Sequence, residues 1–363
     1  AKMIALSSAS YTFENLYKTY KEWLAKIYSK DSGEASYFIS QMGYEALPEE
    51  MIDKTIIEEA ESGGQSHSSF QREYCALFTD GSDSYFSAKK MHQCTIPDGQ
   101  TPTTRITGKS GCKYVLGIDP SFSNSPTSDF FAMSLLEMDE ETDQGTLVHS
   151  YAIAGGDLKD HIQYLYYLVT SFDIVFICID NAGYQFIDSC NESEWFRNSK
   201  IDLKLFNFDS DKEGVEYEKE LRKARFQYNL GDNKICFKQV FTSNWLRKAN
   251  EHLQANIDHK RIWFSSRATL KNTGHDTILD LIEFQDSWIY QTKKQCTLIE
   301  VKSTAKGTQT FDLPQHLARS VSVSRARKDN YTTLMIANWA LKCYYDMMSE
   351  KEEIGATFSP RLI

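Results

Sequence analysis

The apolar positions of this 363-residue chain change their period along its length. Near the start, Phe13, Leu16, Tyr17, Tyr20, Trp23, Leu24 and Ile27 recur at helical spacing and predict an amphipathic helix over 11–29, after a short apolar strand at 3–6. Further helices are expected over 48–61, where Pro48 precedes a run of acids, and over 70–78. Residues 95–111 (TIPDGQTPTTRITGKSG) are turn-rich and weakly apolar and read as a linker. Beyond it the pattern shifts to strands. Apolar runs at 113–118, 130–138 and 146–154, with an acidic turn at 139–143, predict an antiparallel meander. A helix over 160–172 leads into Ile174–Ile179 (IVFICI), an uninterrupted run that suits a central strand buried on both faces. Later strands are expected at 201–208, 235–237, 262–264 and 297–302. Helices are expected to start at 184 and to span 212–229, 243–257 and 276–290, and a last one, striped by Leu334, Ala337, Leu341, Tyr344 and Met348, opens at Asp329. This order implies a mixed α/β sheet with helices on both faces. The expected division is a small, mostly helical unit (1–94), the linker (95–111), an α/β domain (112–350) and a tail (351–363).

Composition narrows the class. With 41% hydrophobic and 13% aromatic residues the chain has ample material for a core. No apolar run approaches a membrane span. The eight cysteines form no CxxC pair and the histidines show no zinc spacing, so reduced thiols in a cytoplasmic setting are expected. The net charge of −10 argues against a coat of nucleic acid but not against an enzyme with a local basic groove. Basic residues gather over 246–272 and 293–328.

The chemistry concentrates in three acids at element ends. Asp119 follows a strand in YVLGIDPS, Asp180 follows the central strand in FICIDNAG, and Asp329 opens the last helix in RARKDNYTTLMIANWAL. Adjacent strand ends lie about 4.8 Å apart, so Asp119 and Asp180 would be neighbours if their strands pair. Clustered carboxylates repel unless a cation neutralises them. Hard oxygen ligands with open positions select Mg²⁺ or Mn²⁺, and two such ions can hydrolyse a phosphodiester. Asp129 is a candidate outer ligand and Asn330 a candidate supporting group. Taken singly, each acid could instead be a turn former or a helix cap.

The same motifs resemble those of the large terminase subunit of tailed bacteriophages, the DNA-packaging motor. YVLGIDPS resembles the first nuclease motif of that family, FICIDNAGY the second and RKDNYTTLMIANWAL the third, with Asn330 where a second acid is common. MIALSSASYTFENLYKTYKEW resembles the end of the family's ATPase, and FQREYCALFTDGSDSYFS the segment leading into the nuclease. The resemblance implies an RNase H-like nuclease domain preceded by the end of an ATPase domain, as part of a longer protein. It also implies cutting of concatemeric viral DNA with two Mg²⁺ or Mn²⁺ ions held by Asp119, Asp180 and Asp329. Partners would be double-stranded viral DNA, a portal protein, a small terminase subunit and further copies in the motor, all in the host cytoplasm.

Arg325, Arg327 and Lys328 run straight into Asp329 and are expected to hold phosphates beside the scissile one; Lys302 and Lys306 suit a hairpin over the groove. A non-cleaving DNA-binding or portal-docking module is the main alternative. An actin-like kinase would need glycine-rich loops after Asp119, and 121–128 holds no glycine. Gly108-Lys109-Ser110 lacks the leading glycine of a phosphate loop and precedes a strand instead of following one. The purified chain is therefore expected to release no phosphate from ATP; metal-dependent release in a phosphate assay would overturn this.

Overall fold

The computed structural model describes residues 7, 9, 15–29, 37–55, 57, 71–79, 84–97, 100, 104–123, 125–229, 235–265, 288–303, 309–314, 317 and 326–349. The expected strand at 3–6, most of the expected helix at 276–290 and the tail at 351–363 lie outside them. The first helix, α1 (Asn15–Tyr28), is followed by single 3₁₀ turns at Tyr44–Ala46 and Glu49–Met51; of the helix expected over 48–61, residues 54, 55 and 57 are helical and 56 and 58–61 lie outside the described residues.

The body of the chain is a six-stranded mixed sheet in the order β5-β4-β1-β2-β3-β6. The strands β1 (Tyr114–Asp119), β2 (Phe130–Asp139) and β3 (Gln144–Ala154) form the expected antiparallel meander. Both β4 (Ile174–Asp180) and β5 (Ile235–Gln239) run parallel to β1 in turn, and β6 (Ile262–Phe264) runs parallel to β3. Three antiparallel strands followed by two parallel ones on the other side of β1 is the arrangement of an RNase H-like fold.

Helices cover both faces. On one side α3 (Leu158–Ser171), α4 (Tyr184–Glu192) and α5 (Glu194–Ser199) pack on Tyr114, Leu116, Ile118, Ile177 and Ile179. On the other, α6 (Gly214–Gln227), α7 (Ser243–Asp258) and the last helix, α8 (Asp329–Ser349), pack on Val115, Phe176, Cys178 and Phe237. The short helix α2 (Ala88–Gln93) joins this second core: Phe86, Met91 and Cys94 are buried in it, and the Cys94 thiol donates to Ile257 O at 3.2 Å. The packed body thus begins upstream of the residues read as a linker. Within those, Ile96 N donates to Phe264 O and Arg105 N to Val148 O, while the Arg105 guanidinium meets Glu137. No helix among the described residues is long and apolar enough to cross a membrane.

The expected strand at 201–208 is reduced to one bridge, Leu205 to Cys236. Upstream of that bridge the Asn191 side chain accepts from Leu203 N at 2.8 Å and donates to Leu203 O at 2.9 Å, satisfying that backbone without a strand partner.

Helix α8 lies against β1 with almost no side chain between them. A Cβ on Gly117 would overlap Thr333 O and stand 2.6 Å from Ala337 N. The contact is flanked by a buried hydroxyl pair, Ser134 Oγ to Thr333 Oγ1 at 2.7 Å. Because the obstacles are backbone atoms, Gly117→Ala is expected to cost at least about 2–3 kcal/mol. That corresponds to a melting temperature lower by roughly 5–10 °C. Thermal denaturation checks this; an unchanged melting temperature would mean α8 can move away freely.

Candidate metal centre

Strand alternation decides where the first two acids point. Along β1, Tyr114, Leu116 and Ile118 face α3 while Val115 and Gly117 face α8, so Asp119 lies on the α8 face. Along β4, Ile177 and Ile179 face α3 while Cys178 faces α8, so Asp180 shares the face of Asp119. The parallel register pairs Ile118 with Ile179, which makes the two acids neighbours at the carboxyl ends of adjacent strands, about 4.8 Å apart at the backbone. The loops that follow are held together: a Cβ on Gly183 would come within 2.7 Å of Pro120 Cγ.

The third acid comes from α8. With Thr333 anchored over Gly117 and Ser134, the start of the helix falls one turn nearer the end of β1. There Asp329 is buried, and its Oδ2 accepts from Phe130 N at 2.9 Å. A different residue caps the helix. Gln295 Oε1 accepts from Tyr331 N at 3.1 Å, and its Nε2 donates to Asn330 Oδ1 at 3.0 Å. Nothing in QTKKQCT marks Gln295 for this role, because the contact spans 36 residues.

The electrostatics agree with convergence. Burial, then the charges of Asp329, Asp180 and Asp129 in that order, push the Asp119 carboxyl well above the usual carboxylate range, and Lys328 pulls it the other way. A cluster of hard, like-charged oxygens at a partly open strand edge is the donor chemistry that a divalent cation satisfies. Among the described residues, no three His, Cys, Asp or Glu side chains stand close enough together to chelate an ion. The carboxylates share a field without being drawn onto a common point.

The surrounding candidates divide. Asp129 adjoins Phe130 at the start of β2 and acts on Asp119. Asn330 is fully buried; besides its bond to Gln295 it donates to Ser150 Oγ at 3.2 Å, so it ties the start of α8 to β3. Lys328 is 39% exposed and pairs with Asp312 at 2.9 Å. Arg327 is turned inward, only 8% exposed, and its guanidinium donates to backbone carbonyls of the β1–β2 loop; that is not the open phosphate-facing position expected of it. The hairpin expected near Lys302 forms, as β7 (Glu300–Ser303) paired with β8 (Gln309–Asp312), and Lys302 stands opposite Thr310. Arg325 and Lys306 lie outside the described residues.

No protein-family model and no curated protein matches the chain. Solved structures do, large terminases and large terminase nuclease domains among them. The large terminase nuclease from thermophilic phage G20c aligns with 70% of this chain and 97% of its own, at 12% identity and TM-score 0.37. The large terminase nuclease domain from bacteriophage SPP1, solved with bound Mn, covers 69% of this chain and 96% of its own, at 11% identity and TM-score 0.34. The HK97 bacteriophage large terminase covers 82% of this chain, which spans about half of it (52%), at 12% identity and TM-score 0.38. At this identity and overlap the likeness carries no argument for chemistry, which stands on the carboxylates themselves.

A neutral isostere at Asp119 should relieve the repulsion. Without metal, Asp119→Asn is expected to melt at a higher temperature than the wild type, because burial and three nearby acids oppose ionisation there. With millimolar Mn²⁺ the wild type should gain stability and the variant little. Melting curves in EDTA and in Mn²⁺ read both effects; equal Mn²⁺ stabilisation of the two proteins would remove Asp119 from the centre.

Proposed function

We propose that the chain is the nuclease part of a phage DNA-packaging motor, a divalent-metal-dependent endodeoxyribonuclease that cuts concatemeric viral DNA with little sequence preference. The observation that supports this reading is that β1 and β4 end in Asp119 and Asp180 and the last helix opens at Asp329, all towards one edge of the sheet. The register of β1 with β4 and the seat of α8 on Gly117 support it. The terminase-like motifs around the same three residues point the same way.

In this reading Asp119, Asp180 and Asp329 hold two Mg²⁺ or Mn²⁺ ions, with Asp129 in support. The ions, when bound, supply an activated water and charge neutralisation at the leaving oxygen. The chain's part is to hold the carboxylates and aim them. Phe130 N fixes one oxygen of Asp329, Gln295 and Asn330 fix the start of α8, and the packed loops at Pro120 and Gly183 hold the two strand ends in register. Lys328, with Lys302, Lys306 and Arg325, would approach the flanking phosphates. Double-stranded DNA is the substrate, and the portal protein, the small terminase subunit and further copies of the chain are the partners, in the host cytoplasm.

One observation favours the second reading, a DNA-binding or portal-docking module that does not cut alone: no chelating group is already closed among the described residues. Plasmid cleavage separates the two. The nuclease reading expects nicking and linearisation in Mn²⁺ or Mg²⁺, loss in EDTA, and loss in both Asp119→Ala and Asp180→Ala. Cutting that persists in both variants would overturn it. An uncut plasmid retained in a salt-sensitive gel shift would favour the docking module.

A further inference from the structure

Arg327 lies two residues before Asp329, yet its side chain serves another element. The guanidinium Nε donates to Ser128 O and Nη2 to Pro126 O, each at 3.0 Å. Its flat face rests on the Phe130 ring, with the central carbon 4.3 Å from the ring centroid. Phe130 in turn meets the Trp288 ring edge-on at 5.5 Å. The loop so held is a compact turn of its own. Ser125 Oγ and Thr127 Oγ1 lie 2.8 Å apart, and Ser128 Oγ donates to Ser125 O at 2.7 Å.

We infer that Arg327 is a positioning residue, which clamps the β1–β2 loop to the start of α8 and thereby sets Asp129 and Phe130 N beside Asp329. The inference rests on the nuclease reading above. Its logic is a closed circuit. Arg327 grips the loop just before Asp129, Phe130 N grips Asp329, and the backbone joins Asp329 to Arg327 within one helical turn. Two carbonyl bonds at fixed separation need the planar fork of arginine; a lysine ammonium keeps the charge but cannot reproduce the fork and the ring contact together. A phosphate contact would compete for the same donors, and the burial of the side chain leaves it little approach.

The test uses the full chain carrying Arg327→Lys or Arg327→Ala. Three readouts are needed: the Mn²⁺ concentration giving half-maximal cleavage, Mn²⁺ affinity followed by the electron-paramagnetic-resonance signal of the free ion, and amide exchange over 125–130. With Arg327→Lys, half-saturating Mn²⁺ and the dissociation constant should both rise about tenfold, as for other groups that orient metal ligands. Loop amides should exchange faster, and the salt dependence of DNA retention should be unchanged. Unchanged Mn²⁺ affinity in both variants, with a log–log salt slope smaller by about one in Arg327→Ala, would make Arg327 a phosphate contact and overturn the clamp. Wild-type values throughout would overturn it as well. Should Arg327→Ala fail to fold, Arg327→Lys carries the test. If the wild type itself neither binds Mn²⁺ nor cuts DNA, the nuclease reading fails, and the loop's exchange rates in the variant alone decide whether the clamp exists.

Discussion

The contact between α8 and β1 at Gly117 governs everything built around it. Any side chain at that position would meet the backbone of α8, so the absence of one sets the helix at its closest approach to the sheet. From there the geometry propagates by rigid rules. Helical rise carries the chain back from Thr333 to Asp329, and strand alternation carries it forward from Gly117 to Asp119. Two residues distant in sequence therefore arrive at one edge with little freedom between them. The parallel pairing of β4 brings Asp180 to the same edge by the same alternation.

Such an edge opposes the stability of the fold that creates it. Burial and the charges of Asp329, Asp180 and Asp129 oppose the ionisation of Asp119. The surroundings compensate with hydrogen bonds that hold the elements carrying the acids. Gln295 caps α8 in place of Asp329, Asn330 bridges to Ser150, and Ser134 pairs with Thr333. Tyr331 adds a further buried bond to Asn250, and Asn338 accepts from Asn256, so several polar residues of α8 meet groups on facing elements. This accounts for a helix that is polar in sequence at several positions yet buried around nearly its whole circumference.

Much of the architecture was legible in the chain because apolar runs write strands plainly. IVFICI became the central β4, and the runs around Leu116, Leu135 and Val148 became the meander. The segment at 201–208 carries the same apolar alternation but pairs only at Leu205, with the Asn191 side chain satisfying the backbone of Leu203. Propensity cannot foresee a side-chain partner for backbone groups. The acids were legible for a related reason: an Asp ending an apolar run, or opening an apolar helix, marks an element end. Their supports were not. Gln295 and Arg327 look like ordinary members of basic stretches, and only the tertiary fold gives one a helix to cap and the other a loop to grip.

The central claim is that Asp119, Asp180 and Asp329 close on shared divalent cations, and anomalous scattering from Mn²⁺-soaked crystals tests it most directly. Two anomalous peaks are expected within coordination distance of all three carboxylates, at the carboxyl ends of β1 and β4. No peak there under saturating Mn²⁺, or peaks that leave out any one of the three, would contradict it.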